Sequence, residues 1–220
     1  MNKHSQHIYL LDKRIGTGVF FTSMLLMLLA ASFNAMANKD ASEALRLKLN
    51  NINSYQAAFS QTIKDAQNEI LLESEGQIVI GKPNKLRWEV SAPDESLLVA
   101  DGDTVYNIDP FVEQVTLLSQ SQVIQNNPLS LLISDDEEVW GNVAVSRKDD
   151  IFTVESQDEN ASISSVILTF DGERLISLSS IDAQEQTNKI AFSQIKQNPM
   201  LTLNLFSVNI PESFEVDDQR

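Results

Sequence analysis

The sequence predicts a mainly β domain with a few α-helices, built on a curved antiparallel sheet. Three observations point there. Apolar and polar residues alternate over many short runs, as half-buried strands require. Turn signals separate those runs at short intervals, and one apolar segment with a helix-start signal interrupts them. The clearest stretch is 83–116. Leu86, Trp88 and Val90 fall on one side of its first strand, and Lys85, Arg87 and Glu89 on the other. Pro93-Asp94 breaks that run, Ser96 to Ala100 supplies a second strand, Asp101-Gly102 is a hairpin turn, Thr104 to Ile108 runs back, and Asp109-Pro110 closes it.

The N-terminal stretch reads as an export signal. Lys3, Lys13 and Arg14 stand against a single acid, Asp12, and an uncharged stretch follows from Ile15, dominated by Phe20, Phe21 and Met24 to Ala31. Ala35-Met36-Ala37 then offers small residues where a signal peptidase reads. The expected organisation is a cleaved signal peptide over 1–37 and a single domain over 38–220. An uncleaved anchor is the alternative, because the uncharged stretch approaches a membrane span in length.

The chain has no cysteine, so no disulfide holds the exported domain together and no cysteine at its N-terminus can be lipidated. Burial must hold it, and about 180 residues suffice for one sizeable core. The full chain carries a net charge of −15, and loss of Lys3, Lys13, Arg14 and Asp12 with the signal makes it −17. A domain that acidic is repelled by nucleic-acid backbones and by anionic lipid surfaces.

Along the rest of the chain, Asp40 and Glu43 have capping-box spacing, and Ala41, Leu45, Leu49 and Ile52 recur at helical intervals. Tyr55, Ala57, Phe59, Gln61 and Ile63 alternate with polar or small residues, which is a strand, and a second strand or pair covers Ile70 to Ile80. Asn127-Pro128 reads as a helix start leading into Leu129, Leu131, Leu132 and Ile133. Strands resume from Val139, with turns at Asp149-Asp150 and Asp171-Gly172 and alternating runs over 163–170, 175–181 and 190–195. The last strand is expected over 203–210, before a short polar tail. Roughly ten strands in one continuous antiparallel meander are expected, with helices on one side and an apolar face that something must cover.

Several chemistries are excluded or weak. The only histidines, His4 and His7, lie in the expected signal, so the domain would lack the parts of a Ser-His-Asp triad, a Cys-His pair or an imidazole or thiolate metal site. Gly76 to Lys82, GQIVIGK, matches most of a phosphate loop, but Pro83 stands where Ser or Thr is needed and β-branched residues fill its interior, so it reads as a strand end. Asp101, Asp103 and Asn107 fail as a calcium loop because Tyr106 stands where glycine is required. Ser134 to Glu138, SDDEE, reads as a solvated loop, with a weak surface cation site as the minority reading.

What remains is an apolar face, either plain core or the wall of a binding cavity. The aliphatic helix at 129–133 favours the cavity, because an apolar segment inserted between strands can cover a sheet. At about 0.8 kcal/mol per buried methylene, an acyl chain is a fitting occupant.

The run PDESLLVADGDTVYNIDPFVEQVT, with the terminal VDDQR at Val216 to Arg220, resembles the periplasmic outer-membrane lipoprotein carrier proteins of Gram-negative bacteria, the LolA family. The resemblance implies an incomplete, half-open β-barrel with a helical lid over an apolar cavity that shields the acyl chains of lipoproteins. It implies a monomer without cofactor that receives lipoproteins from an inner-membrane ABC transporter (LolCDE-type) and passes them to an outer-membrane receptor (LolB-type). Carried over by position, Leu86, Trp88, Val90, Tyr55 and Phe59 would line the cavity, and Leu129, Leu132 and Ile133 would form the lid. The family often has an arginine before the Pro83-Asn84 pair that latches the lid. Lys82 stands there and keeps the charge without the planar fork of donors. A lipoprotein-binding sensor of the same fold, and a polysaccharide enzyme with paired carboxylates, remain the alternatives.

Overall fold

Strand β1 (Ser54–Lys64) is the spine of the molecule, paired antiparallel on one side with β2 (Ile70–Gly81) and on the other with β11 (Thr187–Gln197). The computed structural model describes residues 40–124, 132, 140–141, 143–158 and 161–220. From β2 one meander continues through β3 (Lys85–Ala92), β4 (Ser96–Ala100), β5 (Thr104–Asp109) and β6 (Gln114–Ser119). From β11 a second runs back through β10 (Arg174–Asp182), β9 (Ile163–Asp171) and β8 (Ile151–Ser156) to β7 (Val143–Lys148). A last strand, β12 (Glu215–Asp218), lies parallel to β6. Helix α1 spans 40–50, α2 is Gln120–Ile124, and a 3-10 turn covers Leu203–Phe206. Asn38–Arg220 forms one compact unit.

The strand order is β12-β6-β5-β4-β3-β2-β1-β11-β10-β9-β8-β7, so all twelve belong to one unclosed sheet with β12 and β7 at its edges. This corrects the expected single meander of about ten strands. β6 and β7 are far apart in the sheet because the segment between them carries helical residues, at 120–124, 132 and 140–141, and is too long for a hairpin turn. Two tight hairpins have glycine in the left-handed region: Gly102 between β4 and β5 with φ 121° and Gly172 between β9 and β10 with φ 59°.

The C-terminal segment differs from expectation in two places. Residues 203–210 make no strand: Leu201, Leu205 and Val208 pack with buried Phe206 against Val79 and Val99, so apolar periodicity there is satisfied by packing instead of by strand pairing. The polar tail is itself a strand. Glu215 N–H donates to Glu113 O (2.8 Å) and Gln219 N–H to Leu117 O (2.9 Å), extending the ladder along β6.

Alternation gives the sheet two faces. The outer one carries Val79 and Val99 under the 201–208 segment. The inner one holds the main core, in which Ala41, Leu45 and Leu49 of α1 and the following Ile52 join Tyr55, Phe59, Ile78, Leu86, Phe152, Leu168 and Phe192. These four residues are those whose spacing predicts the helix, and all are buried. The expected signal peptide over 1–37, most of the helix expected from Asn127 and the acidic loop Ser134 to Glu138 lie outside the described residues.

Candidate functional site

The inner face of β1, β2 and β3 brings the predicted wall residues together. Cross-strand register places Tyr55 opposite Ile80, Ile80 opposite Leu86, Ile78 opposite Trp88 and Gly76 opposite both Phe59 and Val90. Phe59 stacks on Trp88 with ring centroids 3.9 Å apart and planes at 25°. Trp88 and Val90 are only half-buried, whereas Leu86 is buried. Tyr55 is fully buried, meets Phe192 edge-on at 5.5 Å, and donates its hydroxyl to Leu175 O at 2.7 Å; burial pushes its phenol well above the ordinary range. Tyr55 therefore lies at the base of this face, and Trp88 and Val90 keep part of their surface exposed on it.

Gly76 explains both the bulge and the aborted phosphate-loop pattern. The register shifts between Glu75 and Gly76, and a Cβ at Gly76 would lie 1.9 Å from Glu89 O and 2.9 Å from the Phe59 ring. Only a residue without a side chain lets β3 approach this closely and lets Phe59 lie across β2. A Cβ at Gly81 would likewise lie 3.0 Å from the ring of Phe206 on the opposite face. Of the failed calcium pattern, Asp101 instead accepts the amides of Asp103 and Thr104 (both 2.9 Å), which builds the β4–β5 turn.

One end of the inner face is closed by α1. Lys82, in the β2–β3 turn, donates to Leu49 O at 3.0 Å, so it holds a terminal carbonyl of α1. Lys48 donates to Gly172 O (2.6 Å) and to Glu173 (3.0 Å) in the β9–β10 turn and lies 5.2 Å from the Phe170 ring centre. The Lys48 hydrogen bond holds the Glu173 carboxyl below the usual carboxylate range. Both turns lie at the end of the sheet where β1 begins. Elsewhere on α1, Arg46 sits 5.4 Å above Trp140.

Of the predicted lid, Leu132 is helical, buried and part of the inner-face core, while Leu129 and Ile133 lie outside the described residues. Sequence reasoning missed a polar line on the same face. Ser74 Oγ donates to Gln61 Oε1 (3.1 Å) and Gln61 Nε2 to Asn188 Oδ1 (2.9 Å). The signal was visible: Gln61 is the one polar residue on the apolar side of β1. Among the described residues no cluster of His, Cys, Asp or Glu could hold a metal ion, and no helix is long and apolar enough to cross a membrane.

The family model of the outer membrane lipoprotein carrier protein LolA matches residues 50–209. The chain belongs to the LolA family. Relatives named outer-membrane lipoprotein carrier protein include one from Aeromonas salmonicida, 36% identical over 88% of this chain and 96% of its own length, and one from Idiomarina loihiensis, 33% identical over the same shares. Among solved structures, an uncharacterized conserved protein from Thermus thermophilus superposes with a TM-score of 0.51 at 11% identity, covering 80% of this chain and 98% of that one. That likeness concerns fold alone. In this LolA family member the matched region contains every described wall residue, the Gly76 bulge and Lys82.

Proposed function

We propose that this protein is a carrier of acylated lipoproteins: it takes up their acyl chains against the inner face of its sheet, and it performs no chemistry on them. One observation carries the reading. A half-buried aromatic and aliphatic wall, Trp88 and Val90 backed by Phe59 and Leu86, stands on an unclosed sheet in a chain that belongs to the LolA family. Tyr55 forms the floor of the cavity, and Leu129, Leu132 and Ile133 belong to the segment that covers it.

The finer reading follows from the family. Residues 1–37 direct export to the periplasm and are removed, and the remaining domain works as a monomer without cofactor. It receives lipoproteins from an inner-membrane ABC transporter of the LolCDE type and delivers them to an outer-membrane receptor of the LolB type. Lys82, bonded to the last turn of α1, tethers the helical side of the cavity to the β2–β3 turn.

The test mixes protein expressed from the full chain with inner-membrane vesicles that hold a triacylated lipoprotein and its ABC transporter, adds ATP, and centrifuges. Soluble lipoprotein in complex with the protein is the expected result. Lipoprotein that stays in the membrane with a demonstrably active transporter overturns the carrier reading.

A further inference from the structure

On the inner face α1 is fastened at one end, and a line of polar side chains lies toward the other. At the fastened end α1 is bonded to the β2–β3 and β9–β10 turns through Lys82 and Lys48, and the Tyr55 hydroxyl is engaged by Leu175 O. Three same-side steps further along β1 the wall changes character. Gln61 accepts from Ser74 on β2 and donates to Asn188 on β11, and Ser180 on β10, itself buried, stands opposite Asn188. Beyond this line, Ile63 pairs with Leu72, and Ile70, Leu71 and Leu72 are exposed at the tip of the β1–β2 hairpin.

The hydrogen bonds run in one sense. The Ser74 hydroxyl donates to the Gln61 carbonyl oxygen and the Gln61 amide group donates to the Asn188 carbonyl oxygen, so the chain of donors ends at Asn188 Nδ2. A polar group on an otherwise apolar wall is favourable where it meets a partner of complementary chemistry. Acyl chains of a lipoprotein bring such partners, because each begins at an ester or amide carbonyl, which accepts and never donates. From Tyr55 to Gln61 is six residues, about 20 Å at the rise of a strand, the order of length of a stretched long-chain acyl group.

We infer that Asn188, oriented by Gln61 and Ser74, binds an ester carbonyl of the lipid anchor, with the hydrocarbon running over Phe59 and Trp88 toward Tyr55 and the peptide leaving past the β1–β2 hairpin. This rests on the carrier reading and adds to it a polar subsite, an orientation and a selectivity for ester-linked chains.

The test compares a triacylated lipopeptide with its alkyl-ether analogue, which has the same chain lengths and no ester carbonyls, by fluorescence displacement on protein expressed from the full chain. The wild type is expected to prefer the ester form by about fivefold, the scale of one hydrogen bond. Asn188→Leu is expected to abolish that preference while holding the ether analogue at least as tightly, and Asn188→Gln is expected to keep part of it. Equal affinities in the wild type, an unchanged preference in Asn188→Leu, or an equal loss of both ligands overturns the subsite. Failure of the wild type to bind either lipopeptide overturns the carrier reading itself, and the subsite with it.

Discussion

Phe59 and Trp88 stack at 3.9 Å although the strands that carry them, β1 and β3, are separated by β2. The two rings meet because the residue of β2 opposite Phe59 is Gly76, which presents bare backbone beneath them. The aromatic stack on the inner face thus depends on a residue with no side chain.

Gly76→Ala is therefore expected to be far more harmful than an ordinary glycine replacement in a strand, which tends to help. Its Cβ would meet the Glu89 carbonyl oxygen at 1.9 Å, and that atom belongs to backbone that cannot swing away. A loss of about 3 kcal/mol, the upper range for overpacking, should appear in urea unfolding. A change within about 0.5 kcal/mol would mean that β3 lies further from β2 at this point than the Gly76–Glu89 approach requires.

The wall should be tested at Val90. Leu86 is only 4% exposed and packs in the main core, so a charge there would unfold the protein before it reported on binding. Val90 is half-buried on the same face, next to Gly76 across the ladder, and a longer side chain at that position can reach water. Val90→Glu should leave the unfolding midpoint nearly unchanged and weaken binding of a fluorescent fatty acid about tenfold, because a carboxylate then lies where hydrocarbon should. Undiminished fatty-acid binding by the folded variant would remove Val90 from the wall.

Much of this fold can be read from local pattern. The buried face of α1 follows from Ala41, Leu45 and Leu49, and the strands of 83–116 follow from alternation and turn residues. What local pattern cannot carry is pairing between distant segments. Nothing in the spacing of β1 says that its second neighbour is β11, more than a hundred residues later, so the sheet looked like one meander. The 203–210 run has the apolar periodicity of a strand, and only the outer face of β2 and β4 decides that it packs across them. Leu86, Trp88 and Val90 share one face legibly because they alternate with Lys85, Arg87 and Glu89. Gln61 was legible as an anomaly, but its partners Ser74 and Asn188 are meaningful only once β2 and β11 flank β1.

Lys82 offers a sharper test than its sequence position suggested. Its ammonium group holds Leu49 O at the C-terminal end of α1, where backbone carbonyls lack helical partners and the helix dipole favours a cation. Lys82→Met keeps the stem and removes the charge. It should lower hydrogen-exchange protection of the Asn51 and Ile52 amides, which bond back to Leu47 O and Leu49 O, by about tenfold, the low end for one charge-assisted bond. Lys82→Arg should restore most of it. Protection that is identical in all three proteins would mean that α1 is held by its apolar face and by Lys48 alone.

The C-terminal strand should respond to acid. Asp218 of β12 is held down to a pKa of about 2 by the Arg220 guanidinium, which hydrogen-bonds both of its oxygens, at 2.9 Å and 2.6 Å, while another guanidinium nitrogen lies 3.4 Å from Thr104 Oγ1. A carboxyl whose folded pKa lies below its unfolded value of 3.8 contributes stability that is complete above that value and is lost as the pH falls through about 2. The β12 contacts to β6 should therefore persist at pH 4 and weaken toward pH 2, read as NMR shifts of the Glu215 and Gln219 amides toward unpaired values. Asp218→Asn removes the titrating group, so those two amides should show a shifted resonance already at neutral pH and little further change on acidification. A carboxyl resonance of Asp218 that titrates near 3.8 would sink the contact, and β12 would then be anchored by its backbone ladder with β6 alone.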